Sequence, residues 1–162
     1  MILIIGGLLL LSIFALSLNS SIVQNQKVLY QSEEVLDALA IAQKFIEAAE
    51  GLRFDENKAA TIPSSFVYSE DLGPDPGEHY PFFDDIDDFN GFTQTDTLSG
   101  VTLYSITISV NYVNLETPDV PTNSRTYFKR MLINISSEAF VEMPARSIEL
   151  KKLFSYHYFY TD

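Results

Sequence analysis

Cysteine is absent from the 162-residue chain. With it go disulfide frameworks, thiolate zinc sites, iron–sulfur clusters, cysteine nucleophiles and covalently attached haem. Tryptophan is also absent, and histidine occurs only as His79 and His157. His79 follows an acid in a Pro/Gly-rich stretch and His157 lies between two tyrosines, so neither belongs to a catalytic constellation. No Gly-rich phosphate loop, G-x-S-x-G or H-E-x-x-H pattern occurs either, and no enzyme and no catalytic residue is expected. Basic residues are few: 10 Lys and Arg stand against 22 Asp and Glu, a formal net charge of −12. Neutralising phosphates needs a basic face, so a nucleic-acid partner is not expected. Two further absences are local. No charged residue precedes Lys27, and no proline precedes Pro63.

From Met1 to Leu18 the chain is apolar apart from Gly6, Gly7, Ser12 and Ser17. As a helix this stretch spans about 27 Å, close to the roughly 30 Å of a bilayer's hydrocarbon core. It must therefore cross a membrane or be enclosed in an assembly. A cleavable secretory signal carries a basic region ahead of its apolar stretch, whereas the first lysine here comes after it. The expectation is that a basic leader has been removed and that Met1 begins the mature chain. If about 1,500 Å² of apolar area on this segment leaves water, the gain is on the order of 35 kcal/mol. That upper figure far exceeds the roughly 5–15 kcal/mol of a typical domain.

Beyond Ile22 the apolar residues recur at helical spacing: Val28, Val35, Leu39, Ala42, Ile46 and Ala49, widened by Leu29, Leu36, Phe45 and Leu52. One continuous helix is predicted from near Met1 to Glu50, with Gly51 as a left-handed cap. Between Leu18 and Gln26, Asn19, Ser20, Ser21, Asn25 and Gln26 compete for backbone hydrogen bonds, so any bend is expected there. Residues 1–26 thus form an apolar half-helix and residues 27–54 an amphipathic half.

Residues 55–97 form an acidic region punctuated by Pro63, Pro74, Pro76 and Pro81. Phe66, Tyr68, Tyr80, Phe82, Phe83, Phe89 and Phe92 are too many for a disordered linker and are expected to anchor an ordered loop. Within it, Asp84, Asp85, Asp87, Asp88 and Asn90 concentrate oxygen donors that suit calcium, although an EF-hand order fails because Phe89 takes the fifth place counted from Asp85. The favoured reading is nevertheless a helical turn capped by Asp84 or Asp85, with Phe82, Phe83, Ile86 and Phe89 inward and the acids in solvent; a calcium site is the second reading. Asn134-Ile135-Ser136 and Asn19-Ser20-Ser21 match the N-glycosylation acceptor pattern.

Residues 98–162 read as strands. Tyr104, Ile106, Ile108, Val110 and Tyr112 alternate with polar residues, as do Met131, Ile133 and Ile135. Residues 116–124 are expected to be the turn joining these two into an antiparallel hairpin, and Ala139–Met143 to extend or follow the second strand. Ile148, Leu150, Phe154, Tyr156, Tyr158 and Tyr160 alternate in a terminal strand. The fold class is α+β, one long N-terminal helix packed on a small antiparallel sheet.

The uncharged run from Met1 to Leu16, continuing into an amphipathic half-helix and a small sheet, resembles a mature type IV pilin or pseudopilin. The stretch Phe83 to Phe92 is similar to a loop of some minor pilin-like proteins. The resemblance implies a subunit held by its helix in the inner membrane, handled there by a pilus assembly machinery, and extruded into a helical homopolymer at the cell surface. The helix bundle at the filament core would then be built from Ile2, Leu3, Ile4, Ile5, Gly6, Gly7, Leu8, Leu9, Leu10, Leu11, Ile13, Phe14, Leu16 and Leu18. No cofactor is expected, unless the acidic run holds calcium. Bacterial pilins carry a glutamate near the mature start that pairs with a neighbour's N-terminal amine, and counted from Met1 that place holds Ile5. Either Met1 is not the true start or the filament assembles without that ion pair, which resembles archaeal pilins or a minor subunit at a filament tip. The alternative function is a membrane-anchored periplasmic or extracellular binding protein, or a minor pseudopilin of a secretion system.

Overall fold

A single helix, α1 (Ile2–Glu50), runs for 49 residues in the computed structural model of the chain, which describes residues 2–56, 62–97, 102–142 and 146–156. At 1.5 Å per residue it is about 74 Å long. The absence of proline leaves its hydrogen-bond ladder unbroken. Across the polar stretch at 18–26 the helix neither ends nor unwinds. Ser21 Oγ donates back to Ser17 O at 3.0 Å, so the hydroxyl is satisfied inside the helix and does not displace a backbone bond.

The helix stops without the expected glycine cap. Gly51 does not take a positive φ. Instead Gly51 N–H bonds Ala48 O (3.3 Å) and Leu52 N–H bonds Ala49 O (3.1 Å), a tightened last turn that occupies two of the terminal carbonyls.

The sheet is antiparallel, in the order β1 (Thr93–Asp96), β2 (Tyr104–Asn114), β4 (Phe128–Ser137) and β5 (Ser147–Ser155), with β3 (Thr117–Pro121) paired to the end of β2. Period-two alternation sets the register. Tyr104 lies opposite Ser137 and Tyr112 opposite Lys129, so Tyr104, Ile106, Ile108, Val110 and Tyr112 share the buried face with Met131, Ile133 and Ile135. The hairpin of β2 and β4 is as expected, but 116–124 is more than a turn, since Thr117–Pro121 is a fully exposed strand. Residues Glu138–Glu142 form a 3₁₀ helix, not a continuation of β4. Strand β1, inside the predicted loop region, pairs with β2 through Thr93–Asp96. Tyr158 and Tyr160 lie outside the described residues.

The sheet covers only the end of α1. Ala38, Ile41, Ala42, Phe45, Ile46 and Ala49 are buried, whereas Val28, Leu29 and Leu36 of the predicted stripe are exposed. Strands of 9–11 residues span about 30–36 Å, less than half the length of the helix. The stripe is periodic further than the domain can reach.

The acidic region is ordered by its aromatics. Phe45, Tyr80, Phe83, Phe89 and Phe92 cluster with ring centroids 5.0–6.4 Å apart. Phe54, Phe66, Tyr127 and Tyr156 form a second cluster. Tyr68 lies at the surface under the Arg125 guanidinium, 4.0 Å away. Phe82, expected inward, is 70% exposed, with His79 against its ring. Gly91 takes φ 78°, a left-handed turn that lets its N–H bond Ile108 O at 3.0 Å and feeds the chain into β1. Phe45 is fully buried and joins the helix to the aromatic loop, so Phe45→Ala is expected to lower the unfolding free energy by about 3–5 kcal/mol in denaturant titrations. A loss below about 1 kcal/mol would show that the cluster does not carry the helix–loop contact.

Candidate functional site

Two features stand out, one on the surface and one in the core. The surface feature is the free part of α1. Every residue from Gly7 to Tyr30 is exposed, with Leu10 at 71% and Leu16 at 69%. Of the predicted bundle residues, Ile4, Ile5, Leu8, Leu9, Leu10, Leu11, Ile13, Phe14, Leu16 and Leu18 all present their side chains outward. Ile2 lies within the helix as well. A methyl group added at Gly6 or Gly7 would meet nothing within 4 Å, so the chain's own fold does not require glycine there. By length and composition this helix can cross a membrane, a property it shares with signal sequences.

The core feature grows from the segment after the helix. Arg53 bridges to Asp85: Ile86 N–H bonds Arg53 O (2.9 Å) and Arg53 N–H bonds Asp84 O (3.3 Å). That pairing sets Asp55 beside the acidic run 84–88, where Asp87–Phe89 is a 3₁₀ turn. Lys129, at the head of the inward row of β4, then reaches both from below. Its Nζ donates to Phe54 O at 2.6 Å, Asp55 Oδ2 at 3.0 Å and Asp87 Oδ1 at 2.5 Å, and the side chain is completely buried. The Phe54 and Tyr112 rings lie 4.7 and 5.2 Å from the ammonium. Tyr112 OH donates to Asp55 Oδ2 (3.1 Å) and Val67 O (3.0 Å). A buried cation of this kind persists only with opposite charges and hydrogen bonds around it.

Three of the four acids are therefore not in solvent. Asp85, Asp87 and Asp88 are buried, while Asp84 is exposed and pairs with Arg53. Asp88 Oδ2 accepts the N–H groups of Asp84 (2.9 Å) and Asp85 (3.1 Å), and Asp85 Oδ1 accepts that of Asp87 (2.9 Å). Burial pushes Asp88 up to about 6 against the pull of those two N–H groups. Burial and then the Asp87 charge push Asp85 up to about 9, with Lys129 opposing. Tyr112 is raised by burial and by Asp55.

The five residues of the second, calcium reading do not form one donor group among the described residues. Asp87 is taken by Lys129, and Asn90 joins two backbones, donating to Leu72 O (2.9 Å) and accepting from Val110 N–H (3.0 Å). Among the described residues, two carboxylate triples have oxygens within 4.8 Å of one another: Glu56 with Asp84 and Asp85, and Glu78 with Asp84 and Asp88. This donor set is not the one expected, and carboxylates gather this way without an ion. Asn134 stands half-buried on the outer face of β4, between Thr107 and Glu149. Asn19 is exposed on α1. His79 is exposed, with Nδ1 3.3 Å from Gly77 O, and His157 lies outside the described residues.

Lys129, Asp55 and Tyr112 were not singled out by sequence reasoning. One signal was present: Lys129 occupies the same alternating row as Met131, Ile133 and Ile135.

No protein-family model, curated protein or solved structure matches this chain significantly.

The proton balance of Asp85 has a measurable consequence. Its folded value of about 9 lies above the ordinary 3.8. Between those values the folded chain holds a proton that the unfolded chain has released, so stability falls as pH rises. Asp88 adds to the fall up to about pH 6. Asp85→Asn keeps an acceptor for Asp87 N–H and a donor toward the Asp87 carboxyl. Its melting temperature is expected to exceed the parent's at pH 8 and to converge with it below about pH 4. Parallel melting curves across that range would contradict the assignment.

Proposed function

We propose that this chain is the structural subunit of an extracellular, type IV pilus-like filament, polymerised through the apolar half of α1. The observation that carries the reading is the uncovered surface from Ile4 to Tyr30, which the chain's own domain leaves bare. Before assembly the bilayer covers it. After extrusion, only copies of the same helix offer comparable apolar surface outside the cell.

Aliphatic rods packed side by side bury area without directional bonds. Gly6 and Gly7, which the monomer does not need, allow two backbones to approach closely. A head-to-tail contact that does not close yields an open helical polymer. The sheet domain, tied only to the far end of the helix, then coats the outside. With a net charge of −12, that coat repels neighbouring filaments, and bundling depends on salt or divalent cations.

Leu10→Asp is the direct test. A carboxylate at the middle of the bare rod should abolish filaments in electron micrographs of surface material, while the domain folds as in the parent by circular dichroism. Normal filaments in this variant would overturn the reading. Parent protein recovered only as a detergent-soluble membrane component, without polymer, would favour a membrane-anchored binding protein instead.

A further inference from the structure

Lys129 and Asp55 are placed for more than an ion pair. Both are buried, at 0% and 1% exposure, and Nζ stands 3.0 Å from Asp55 Oδ2. Two aromatic rings flank the ammonium, and no water-facing atom of the lysine remains. Burial disfavours separated charges. Moving one proton from the ammonium to a carboxylate gives a neutral amine against a neutral acid, the pair that condenses to an amide. Fixing the two groups in contact replaces a bimolecular encounter with an intramolecular one.

We propose that Lys129 and Asp55 join in an intramolecular isopeptide bond between Nζ and Cγ. The surrounding groups assign the roles. The Asp55 carboxyl accepts Val67 N–H at 3.2–3.3 Å and Tyr112 OH at 3.1 Å, donors that polarise the carbonyl and hold the oxyanion of the tetrahedral intermediate. Asp87 Oδ1, 2.5 Å from Nζ, is the proton acceptor, and its carboxyl is hydrogen-bonded in turn to Asp85. The amine lone pair attacks Cγ of the protonated Asp55, forming the N–C bond. The proton released from nitrogen passes to Asp87 and then to the Asp55 hydroxyl, which leaves as water when its C–O bond breaks. The sum is ammonium plus carboxylate giving amide plus water, with no oxidant, reductant or cofactor. Among the described residues Val67 N–H and Tyr112 OH both point to Asp55 and not to Asp87, so Asp87 serves as base and not as electrophile.

The product ties the segment leaving α1 directly to β4. Load on the helix would then reach the sheet through a covalent bond as well as through packing. The proposal rests on the core of the domain and stands apart from the filament reading.

Mass spectrometry tests it on the full chain, purified in detergent and shown to be folded by circular dichroism. With Lys129→Arg as the mass reference, the parent is expected to be lighter by one water molecule than its sequence requires. Proteolysis should yield a branched peptide joining the Asp55 and Lys129 segments. Folded parent protein at full mass, with Lys129 in an ordinary linear peptide, would overturn the proposal, and a branch at Asp87 would overturn the choice of Asp55. Asp87→Asn, which keeps the side-chain shape, is expected to lose the bond. If it links as completely as the parent, the proton-acceptor role is wrong.

Discussion

Apolar surface that its own chain cannot cover governs this molecule. A helix of about 74 Å meets a sheet whose strands span about half that length. The domain closes over Ala38 to Ala49 and leaves the preceding residues to whatever surrounds them. In water the bare segment would dominate solubility, because the hydrophobic term scales with exposed area. A bilayer satisfies it, and so, in the proposed filament, does a bundle of like helices.

The domain end meets the opposite demand, which is to hold the helix firmly. Three kinds of contact do so. The aromatic cluster around Phe45 packs α1 against the loop that leads into β1. Glu34 accepts from Thr102 Oγ1 at 2.8 Å and from Tyr104 OH, and Lys152 pairs with Glu50, so polar bonds bracket the covered length. Beneath the helix end, Lys129 gathers the acidic loop. Its two carboxylate partners lie 74 and 42 residues away in sequence, so one buried cation closes two long loops. Much of the acidity that looked like a solvated face is in fact internal.

The extent to which this was legible differs by element. Period-two alternation located β2, β4 and β5 because each buries one face. The unbroken helix followed from the absence of proline before Pro63. Strand β1 was hidden because Thr93–Asp96 is polar throughout, and β3 because two prolines flank its centre and no residue is buried. The covered part of α1 was misplaced for another reason: periodicity marks which face is apolar, while burial depends on how far the sheet extends. The site was least legible. A lysine in an apolar row is visible in sequence, but its carboxylate partners are set by the Arg53–Asp85 bridge, which is a tertiary event.

The most direct measurement is electron cryomicroscopy of material sheared from the surface of cells producing the chain. A helical polymer whose centre is a bundle of the segment from Ile4 to Tyr30, with sheet domains outside, is the predicted result. Sheared material free of polymer, with the chain recovered as dispersed copies still embedded in membrane, would contradict the account.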